Sequence, residues 1–150
     1  MSRPQRERPG AAITLRLGDW ATLGEAAGRV RVAVFVEEQG IPIALEWDAA
    51  DAGSLHAVAY DGDVPVGTGR LLADAHIGRM AVLPAYRRGG LGGTILEALV
   101  AEALSRGHAA VVLSAQVYVR AFYERHGFIA FGPEYDDAGI PHQSMRRALR

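Results

Sequence analysis

The stretch PAYRRGGLGGTILEAL, residues 84–99, decides how this chain folds. Two arginines, Arg87 and Arg88, lead into four glycines around one leucine, and apolar residues then recur at helical spacing. Glycine beside a helix costs roughly 0.5–1 kcal/mol relative to alanine. Four glycines where a helix begins therefore indicate a requirement other than helix stability.

This stretch predicts an anion-binding helix start. A strand ending near Leu83 and a helix beginning near Gly90 would leave the first N–H groups of the helix without partners, at the positive end of its dipole. The four glycines would let a polyanion approach those groups, and the two arginines would add charge-assisted hydrogen bonds. We therefore predict a diphosphate site.

Two familiar phosphate-binding motifs do not fit the stretch. A dinucleotide fingerprint that starts at Gly90 would need glycine at position 95, which is Ile95. A P-loop needs lysine, and all sixteen basic residues are arginine. A flexible loop with helix-packing glycines stays open as the alternative.

Composition predicts an ordinary globular domain. The 150 residues are 49% hydrophobic with a formal net charge of −1, which gives no overall field to attract nucleic acid or an acidic membrane. We predict a disordered tail over 1–10, whose arginines leave a nucleic-acid arm open, and one domain over 11–150. The absence of cysteine and of a long apolar run favours a cytoplasmic protein without a membrane span.

Hydrophobic periodicity and turn residues predict an α/β fold with a mixed sheet. The hairpin turn is expected at Asp61-Gly62. Helices are expected over 20–39, from 90 to 107 and within 118–128, with a loop over 41–53. The expected strands lie at 11–17, on both sides of the hairpin turn within 54–72, and at 75–83, 109–116, 128–132 and 141–149.

Two motifs resemble one known family. VLPAYRRGGLG (82–92) resembles the acetyl-CoA-binding motif of the GCN5-related N-acetyltransferase (GNAT) family, whose core is R/Q-x-x-G-x-G/A. FYERHGF (122–128) is similar to that family's FYE-x-x-GF segment, and the two motifs occur in the family's order. The resemblance covers about residues 12–149. It implies the GNAT fold, a mixed and mostly antiparallel sheet flanked by helices.

A narrower resemblance points to one branch of the family. VFVEEQGIPIALEWD (34–48), HAVAY (56–60), AGIPHQSM (138–145) and Gln116 together resemble the ElaA/YjcF-like bacterial acetyltransferases. Many GNAT proteins carry asparagine seven residues before the FYE tyrosine, where this chain has Gln116. The longer amide would have to make the cofactor contact.

The resemblance also implies where acetyl-CoA binds. The strand at 77–83 would splay from its neighbour at 111–115, and the pantetheine arm would lie in the gap. A main-chain N–H there, that of Ala81 or Val82, would polarise the thioester carbonyl. The implied cofactor-binding residues are Met80, Ala81, Val82, Arg87, Arg88, Gly89, Gly90, Leu91, Gly92, Gly93, Thr94, Gln116, Phe122 and Tyr123.

The candidate catalytic residues are Tyr123, His142 and Glu38. Tyr123 is the candidate general acid, since a phenol with an ordinary pKa of about 10 can protonate a departing thiolate whose ordinary pKa is about 8.5. His142 and Glu38 are the candidate bases, and Glu37, Glu46, Asp48 and His56 stay open for that role. The histidine spacing predicts no metal site.

Together these features predict an acetyl-CoA-dependent N-acetyltransferase that acts on a primary amine by direct transfer in a ternary complex. The alternative is a non-catalytic acyl-CoA-binding regulatory module on the same fold. Acids in loop 40–53 favour a small amine or an exposed peptide amine over an anionic acceptor. No nucleic-acid or membrane partner is predicted, and the resemblance is compatible with a homodimer.

Overall fold

The computed structural model describes residues 12–46 and 48–149, and within them seven strands form one mixed sheet. The predicted tail over 1–10 lies outside the described residues. The strands are β1 (Ile13–Gly18), β2 (Leu55–Asp61), β3 (Val64–Leu71), β4 (His76–Val82), β5 (Ala110–Gln116), β6 (Ile129–Asp137) and β7 (Ile140–Ala148). The helices are α1 (Trp20–Arg31), α2 (Ile43–Glu46), α3 (Leu91–Ser105) and α4 (Arg120–Arg125).

The strand order is β1-β2-β3-β4-β5-β7-β6, and all neighbours are antiparallel except β4 and β5. The predicted mixed, mostly antiparallel sheet is therefore confirmed. The parallel pair is very short, since it joins only His76 to Val112 and Ile77 to Leu113. Beyond these two positions β4 and β5 part, and the sheet opens in its middle.

Helix ends follow the local signals of the sequence. The Asp19 carboxylate accepts a hydrogen bond from the Thr22 N–H at 2.9 Å and caps α1. Gly107 and Gly127, with φ of +89° and +83°, follow α3 and α4, where the chain must take the left-handed conformation that glycine tolerates. None of the described helices combines the length and apolarity that crossing a membrane requires.

Two predicted segments differ from the structure. The predicted helix over 20–39 is α1 followed by a π-helical segment, Val32–Glu38. The predicted loop over 41–53 contains α2 and a 3₁₀ turn at Ala49–Gly53, whose start is fixed because the Asp48 carboxylate accepts the N–H of Ala50 at 2.9 Å.

The core lies on both faces of the sheet. The apolar stripe of α3, with Ile95, Leu96 and Leu99 fully buried, packs on one face. Leu23 of α1 packs with Val58 in a separate cluster. Because successive strand residues point to opposite faces, α1 covers the other side of the sheet. The two helices therefore pack on opposite faces of β2, β3 and β4.

Gly69 of β3 lets α3 approach the sheet closely. A Cβ at Gly69 would lie 2.6 Å from Sδ of Met80, 2.9 Å from Cδ1 of Leu99 and 3.0 Å from Cγ2 of Ile95. Any side chain there would overpack the interface between the helix and the sheet.

We predict that Gly69→Ala lowers the free energy of unfolding by about 1–3 kcal/mol, because its methyl group overpacks the core. Gly28→Ala is the matched control. It lies in α1 with nothing within 4 Å of its added Cβ. The control should raise the free energy of unfolding by up to about 1 kcal/mol. Urea unfolding measures both, and equal shifts in the two variants would contradict the close packing.

Candidate functional site

The parting of β4 and β5 forms a cleft of about 1610 Å³. This exceeds the roughly 300–1,000 Å³ typical of a site for one small molecule, so the cleft has room for two substrates. It contains most of the predicted site residues. Gly89 and Leu91 do not line it, and the Leu91 side chain is buried in the core. Those that do are Glu38, Met80, Ala81, Val82, Arg87, Arg88, Gly90, Gly92, Gly93, Thr94, Gln116, Phe122, Tyr123 and His142.

The backbone of Val82 faces the cleft. The Leu83 N–H donates to the Val66 carbonyl at 2.9 Å, and the next residue pairs along the ladder are Val82 with Gly67 and Ala81 with Thr68. Hydrogen-bonded and non-hydrogen-bonded pairs alternate in antiparallel strands, so Ala81 bonds to β3 and Val82 points away from it. Of the two predicted N–H groups, that of Val82 is therefore the one directed toward the gap.

The start of α3 is open, as the sequence predicts. Its first helical hydrogen bond runs from the Thr94 N–H to the Gly90 carbonyl at 3.0 Å, so the N–H groups of residues 91–93 lack an intrahelical acceptor. Gly90 occupies the N-cap position without a side-chain capping bond, at φ +85°, a left-handed conformation that favours glycine. Arg88 just before it also has a positive φ, of +69°.

The glycines of this loop have different structural roles. A Cβ at Gly89 or Gly90 would meet nothing within 4 Å, so these positions border open space. A Cβ at Gly93 would lie 2.9 Å from the His126 ring, whose Nδ1 is 2.7 Å from a Glu97 carboxylate oxygen. Gly93 therefore makes room for His126, so close packing accounts for the glycine at this position.

Arg87 and Glu38 form a two-pronged ion pair across the cleft mouth. Nη1 and Nη2 of Arg87 donate to the two carboxylate oxygens of Glu38 at 2.7 and 2.6 Å, while its Nε donates to the Val82 carbonyl at 2.8 Å. These hydrogen bonds from Arg87 lower the pKa of Glu38. While Arg87 holds it, this carboxylate is a weak proton acceptor, so the predicted base role of Glu38 would require the pair to separate.

Tyr123 is held as a neutral phenol. The side chain is 8% exposed and packs edge-on against the rings of Phe122 and Phe128, at centroid distances of 5.0 and 5.9 Å. Burial raises the pKa of Tyr123 to about 12. The group is therefore a hydrogen-bond donor at neutral pH, and full proton release from it is harder than from an exposed tyrosine.

His142 has the geometry of a base. It lies on β7 opposite Gln116 of β5. Its Nδ1 is 2.7 Å from the Ile140 carbonyl, which can only accept, so Nδ1 carries the proton and Nε2 of the neutral ring has a free lone pair. The ring stacks on Tyr135 at a centroid distance of 6.0 Å. This contact fixes its orientation at the cleft.

Gln116 is engaged from the opposite wall. Its Nε2 donates to Oε1 of Gln39 at 3.1 Å. Gln39 directly follows the π-helical segment, as Glu38 ends it. Segment 32–39 therefore contacts both walls of the cleft. Gln39 contacts β5, and Glu38 contacts Arg87 of the glycine loop (residues 87–93).

The remaining candidate bases are buried, paired or outside the cleft. Glu37 is exposed and does not line the cleft. Glu46 is 5% exposed and ion-paired with Arg31. The Ala50 N–H and Arg70 lower the pKa of Asp48. His56 is buried, and burial lowers its pKa. Among the described residues, no group of three or more histidine, aspartate or glutamate side chains could hold a metal ion.

Sequence reasoning missed the cluster of charges to which these acids belong. Arg31, Arg70 and Arg79 meet Glu46, Asp48 and Asp51 beside the cleft. The available signal was Arg31 itself, because an arginine in the apolar run VRVAVFV (30–36) must find buried carboxylates if it faces the core.

Comparison with known proteins agrees with the fold and the cleft. The chain belongs to the GNAT family of acetyltransferases, because the family described as "Acetyltransferase (GNAT) domain" matches residues 25–149. The resemblance inferred from the two motifs is thereby confirmed, and the chain is an acyltransferase by family.

Individual relatives lie in the branch that the sequence predicts. The chain is 40% identical over 122 residues to the uncharacterized N-acetyltransferase YjcF of Bacillus subtilis, covering 79% of this chain and 87% of YjcF. An acyl-CoA N-acyltransferase of Pseudomonas aeruginosa superposes with a TM-score of 0.82 at 32% identity, over 91% of this chain and 99% of that one. Escherichia coli ElaA superposes with a TM-score of 0.81 at 27% identity, over 90% and 99%.

The raised pKa of Tyr123 predicts a loss of stability in alkali. The folded value of about 12 lies above the ordinary value of 10, so the unfolded chain loses this proton first as the pH rises. The contribution of the Tyr123 proton to the free energy of unfolding is fully present below pH 10 and is lost as the pH approaches 12. Between pH 9 and 11 the wild type should lose about 1 kcal/mol more than Tyr123→Phe.

Urea unfolding across this pH range measures the difference. Tyr118→Phe is the control, because Tyr118 is 67% exposed. That variant should follow the wild type. If Tyr123→Phe follows the wild type as well, the phenol is not held in a desolvated site.

Proposed function

We propose that this protein is an N-acetyltransferase that moves the acetyl group of acetyl-CoA to a primary amine, with both substrates bound together in the cleft. One observation carries the proposal: the gap between β4 and β5 runs to the uncapped start of α3, where Arg87 and Arg88 lie. The residues present fit the cofactor, because the helix start and the arginines match a diphosphate, and the gap matches an extended arm.

The glycine loop would hold the diphosphate. The N–H groups of residues 91–93 lack intrahelical acceptors, and a side chain at Gly90 would meet nothing, so an anion can approach them. Arg87 would exchange its Glu38 carboxylate for phosphate oxygens. The exchange is inexpensive because Arg87 and Glu38 are 39% and 38% exposed, and such pairs contribute about 0–1 kcal/mol.

The walls of the gap would orient the acyl group. When bound, acetyl-CoA supplies an activated thioester carbonyl. Met80 and Ala81 line the same stretch of β4, and the main-chain N–H of Val82 would donate to that carbonyl and stabilise negative charge there. Gln116 would have to leave Gln39 to contact the cofactor, whereas Phe122 packs beside Gly92 and shapes the loop.

Two side chains would move the protons. Nε2 of His142 would accept a proton from the amine, while the Nδ1–H bond to the Ile140 carbonyl keeps the ring in the correct tautomer. The phenol of Tyr123 would donate to the departing sulfur. Its raised pKa favours a donated hydrogen bond over complete transfer. No covalent enzyme intermediate is needed, since the amine attacks the thioester directly.

The cofactor assignment predicts a binding defect in Arg87→Ala/Arg88→Ala. Calorimetric titration should show micromolar binding of acetyl-CoA to the wild type and binding weaker by about tenfold to hundredfold in the double variant, because charge-assisted hydrogen bonds are lost. Dephospho-CoA keeps the diphosphate but lacks the ribose phosphate. If the loop holds the diphosphate, the double substitution should weaken the binding of dephospho-CoA by the same factor as that of acetyl-CoA.

Arg106→Ala is the control for this titration. Arg106 caps the far end of α3, pairs with Glu102 at 3.0 Å and does not line the cleft. This variant should bind like the wild type. Absence of acetyl-CoA binding to folded wild type would refute the transferase proposal, and unchanged binding in the double variant would place the diphosphate elsewhere.

The proton-transfer roles predict a loss of turnover without a loss of cofactor binding. In assays that follow free thiol with a panel of amines, His142→Gln should lower kcat by about 10²–10⁴-fold, and Tyr123→Phe should also lower kcat. The dissociation constant for acetyl-CoA should change little in both variants. His108→Gln, at a turn outside the cleft, is the matched control. Wild type that binds acetyl-CoA but turns over no amine would instead support the non-catalytic regulatory module.

A further inference from the structure

The arginine–carboxylate cluster lies beside the cleft, and the mechanism proposed above does not use it. It adjoins the N-terminal part of β4, away from the glycine loop, and its residues Glu46, Arg70 and Arg79 line the cleft wall. Arg31 and Arg70 are only 1% and 6% exposed. Charges so deeply buried need close partners, and their pairing can be followed bond by bond.

Arg31 and Arg70 together donate hydrogen bonds to all three carboxylates. Arg31 donates from Nη1 and Nη2 to the two oxygens of Asp51, both at 2.9 Å, and from Nε to Glu46. Arg70 donates from Nη1 to Asp48 at 2.9 Å and to Asp51 at 3.1 Å. All three acids of the cluster are thereby hydrogen-bonded to Arg31 or Arg70, although the charge of the three carboxylates is balanced only when Arg79 is counted as well.

The third arginine, Arg79, has only distant carboxylates. Its nearest carboxylate oxygens, at 3.6 Å (Asp48) and 3.9 Å (Glu46), lie beyond hydrogen-bond distance. Its Nη2 donates a long hydrogen bond of 3.5 Å to the Glu46 carbonyl, and its Nε has no acceptor among the described residues. Burial, and then the charges of Arg70 and Arg31, lower the pKa of Arg79, as expected for a buried cation whose carboxylates are held more closely by the other two arginines.

The backbone holds Arg79 at this place despite strain. Its φ is +50°, a left-handed value that is unfavourable for a residue with a side chain, and it lies where the register of β4 against β3 shifts. Such a bulge re-aims a side chain, and the side chain of Arg79 lines the cleft, 28% exposed.

Arg70 adds a second set of free donors. Its Nε is buried without an acceptor among the described residues. Gly78 stands directly opposite Arg70 on β4, and a Cβ there would lie 4.0 Å from Arg70 Nη2. Because directly paired residues share a face of the sheet, the missing side chain at Gly78 leaves space beside the guanidinium of Arg70, which is 6% exposed and lines the cleft wall.

We propose that Arg79, with Arg70 beside it, binds a carboxylate of the acceptor, so that the acceptor is an amino acid or another amine that carries a carboxylate. This inference rests on the proposed function for the identity of the ligand as the acceptor. It replaces the expectation that acids in loop 40–53 disfavour anionic acceptors, because those acids are already paired with Arg31 and Arg70. Phe35, Leu45 and Leu72 also line the cleft and favour an apolar body between the two polar ends.

Matched amines test the proposal. The first pair is L-leucine and L-leucinamide, and the second is 5-aminovalerate and pentylamine. In each pair the first compound carries a carboxylate and the second does not. With wild type, kcat/KM should be at least tenfold higher for the acid of one pair. In Arg79→Gln the KM for that acid should rise by about tenfold to hundredfold, while the amide or plain amine and the dissociation constant for acetyl-CoA change little.

Two further variants separate charge from folding. Arg79→Lys keeps the charge without the planar fork and should restore part of the affinity for the acid. Arg146→Gln removes an exposed arginine from β7, outside the cleft, and should behave like the wild type. Equal use of the acid and its partner, or a preference for the acid that survives in Arg79→Gln, would overturn the proposal.

A binding arm decides the proposal if no amine is turned over. In that case N-acetyl-L-leucine and N-acetyl-L-leucinamide are titrated into the protein saturated with CoA. Tighter binding of the acid that is lost in Arg79→Gln supports the anion site even though the transferase assignment fails. Equal binding of the two probes, or no binding of either, rejects the anion site.

Discussion

The central parallel pair of strands is the constraint on which the rest of this structure depends. β4 and β5 are joined at only two residue positions, although each is seven residues long. An unpaired strand edge inside a protein leaves polar backbone groups that require partners. Here the unpaired edges become walls of a cleft, and the Val82 backbone is directed into it. The flanking antiparallel pairs and the two packed helices keep the walls apart and rigid.

Segment 32–39 joins the parts of the cleft that would otherwise be independent. It contacts the glycine loop through Glu38 and β5 through Gln39. Its beginning is anchored by the buried Arg31, which is fixed by Glu46 and Asp51. Buried ion pairs add little net stability, but breaking one by removing a partner costs about 3–5 kcal/mol. The cluster therefore acts as a rigid support for the helix end that faces the cleft.

Local signals in the sequence predict most of the fold. The i+4 stripe of α3, the hairpin turn and the glycines after α3 and α4 act over a few residues, so they can be recognised without tertiary information. The turn lies one residue later than predicted, at Gly62 and Asp63, because Asp61 still pairs with Val64. The charge cluster and the Arg87–Glu38 pair join residues that lie 15 to 49 positions apart, and no local pattern encodes such contacts. The role of Gly93 depends on His126, which is distant in sequence. The start of α3 beside Gly90 was predictable, whereas the internal partners of the loop were not.

The contact of Arg87 with Glu38 gives the glycine loop an internal competitor for any anion that Arg87 would bind. Because this carboxylate is attached to the same chain, it acts at a high effective concentration and never diffuses away. A small anion such as free phosphate that displaces Glu38 only replaces the hydrogen bonds that Arg87 donated to the carboxylate. A longer polyanion that reaches the open start of α3 at the same time gains additional hydrogen bonds. Because the exposed Arg87–Glu38 pair contributes only about 0–1 kcal/mol, this competition would lower the affinity for simple anions modestly and would favour a longer polyanion, were the loop to bind one as proposed.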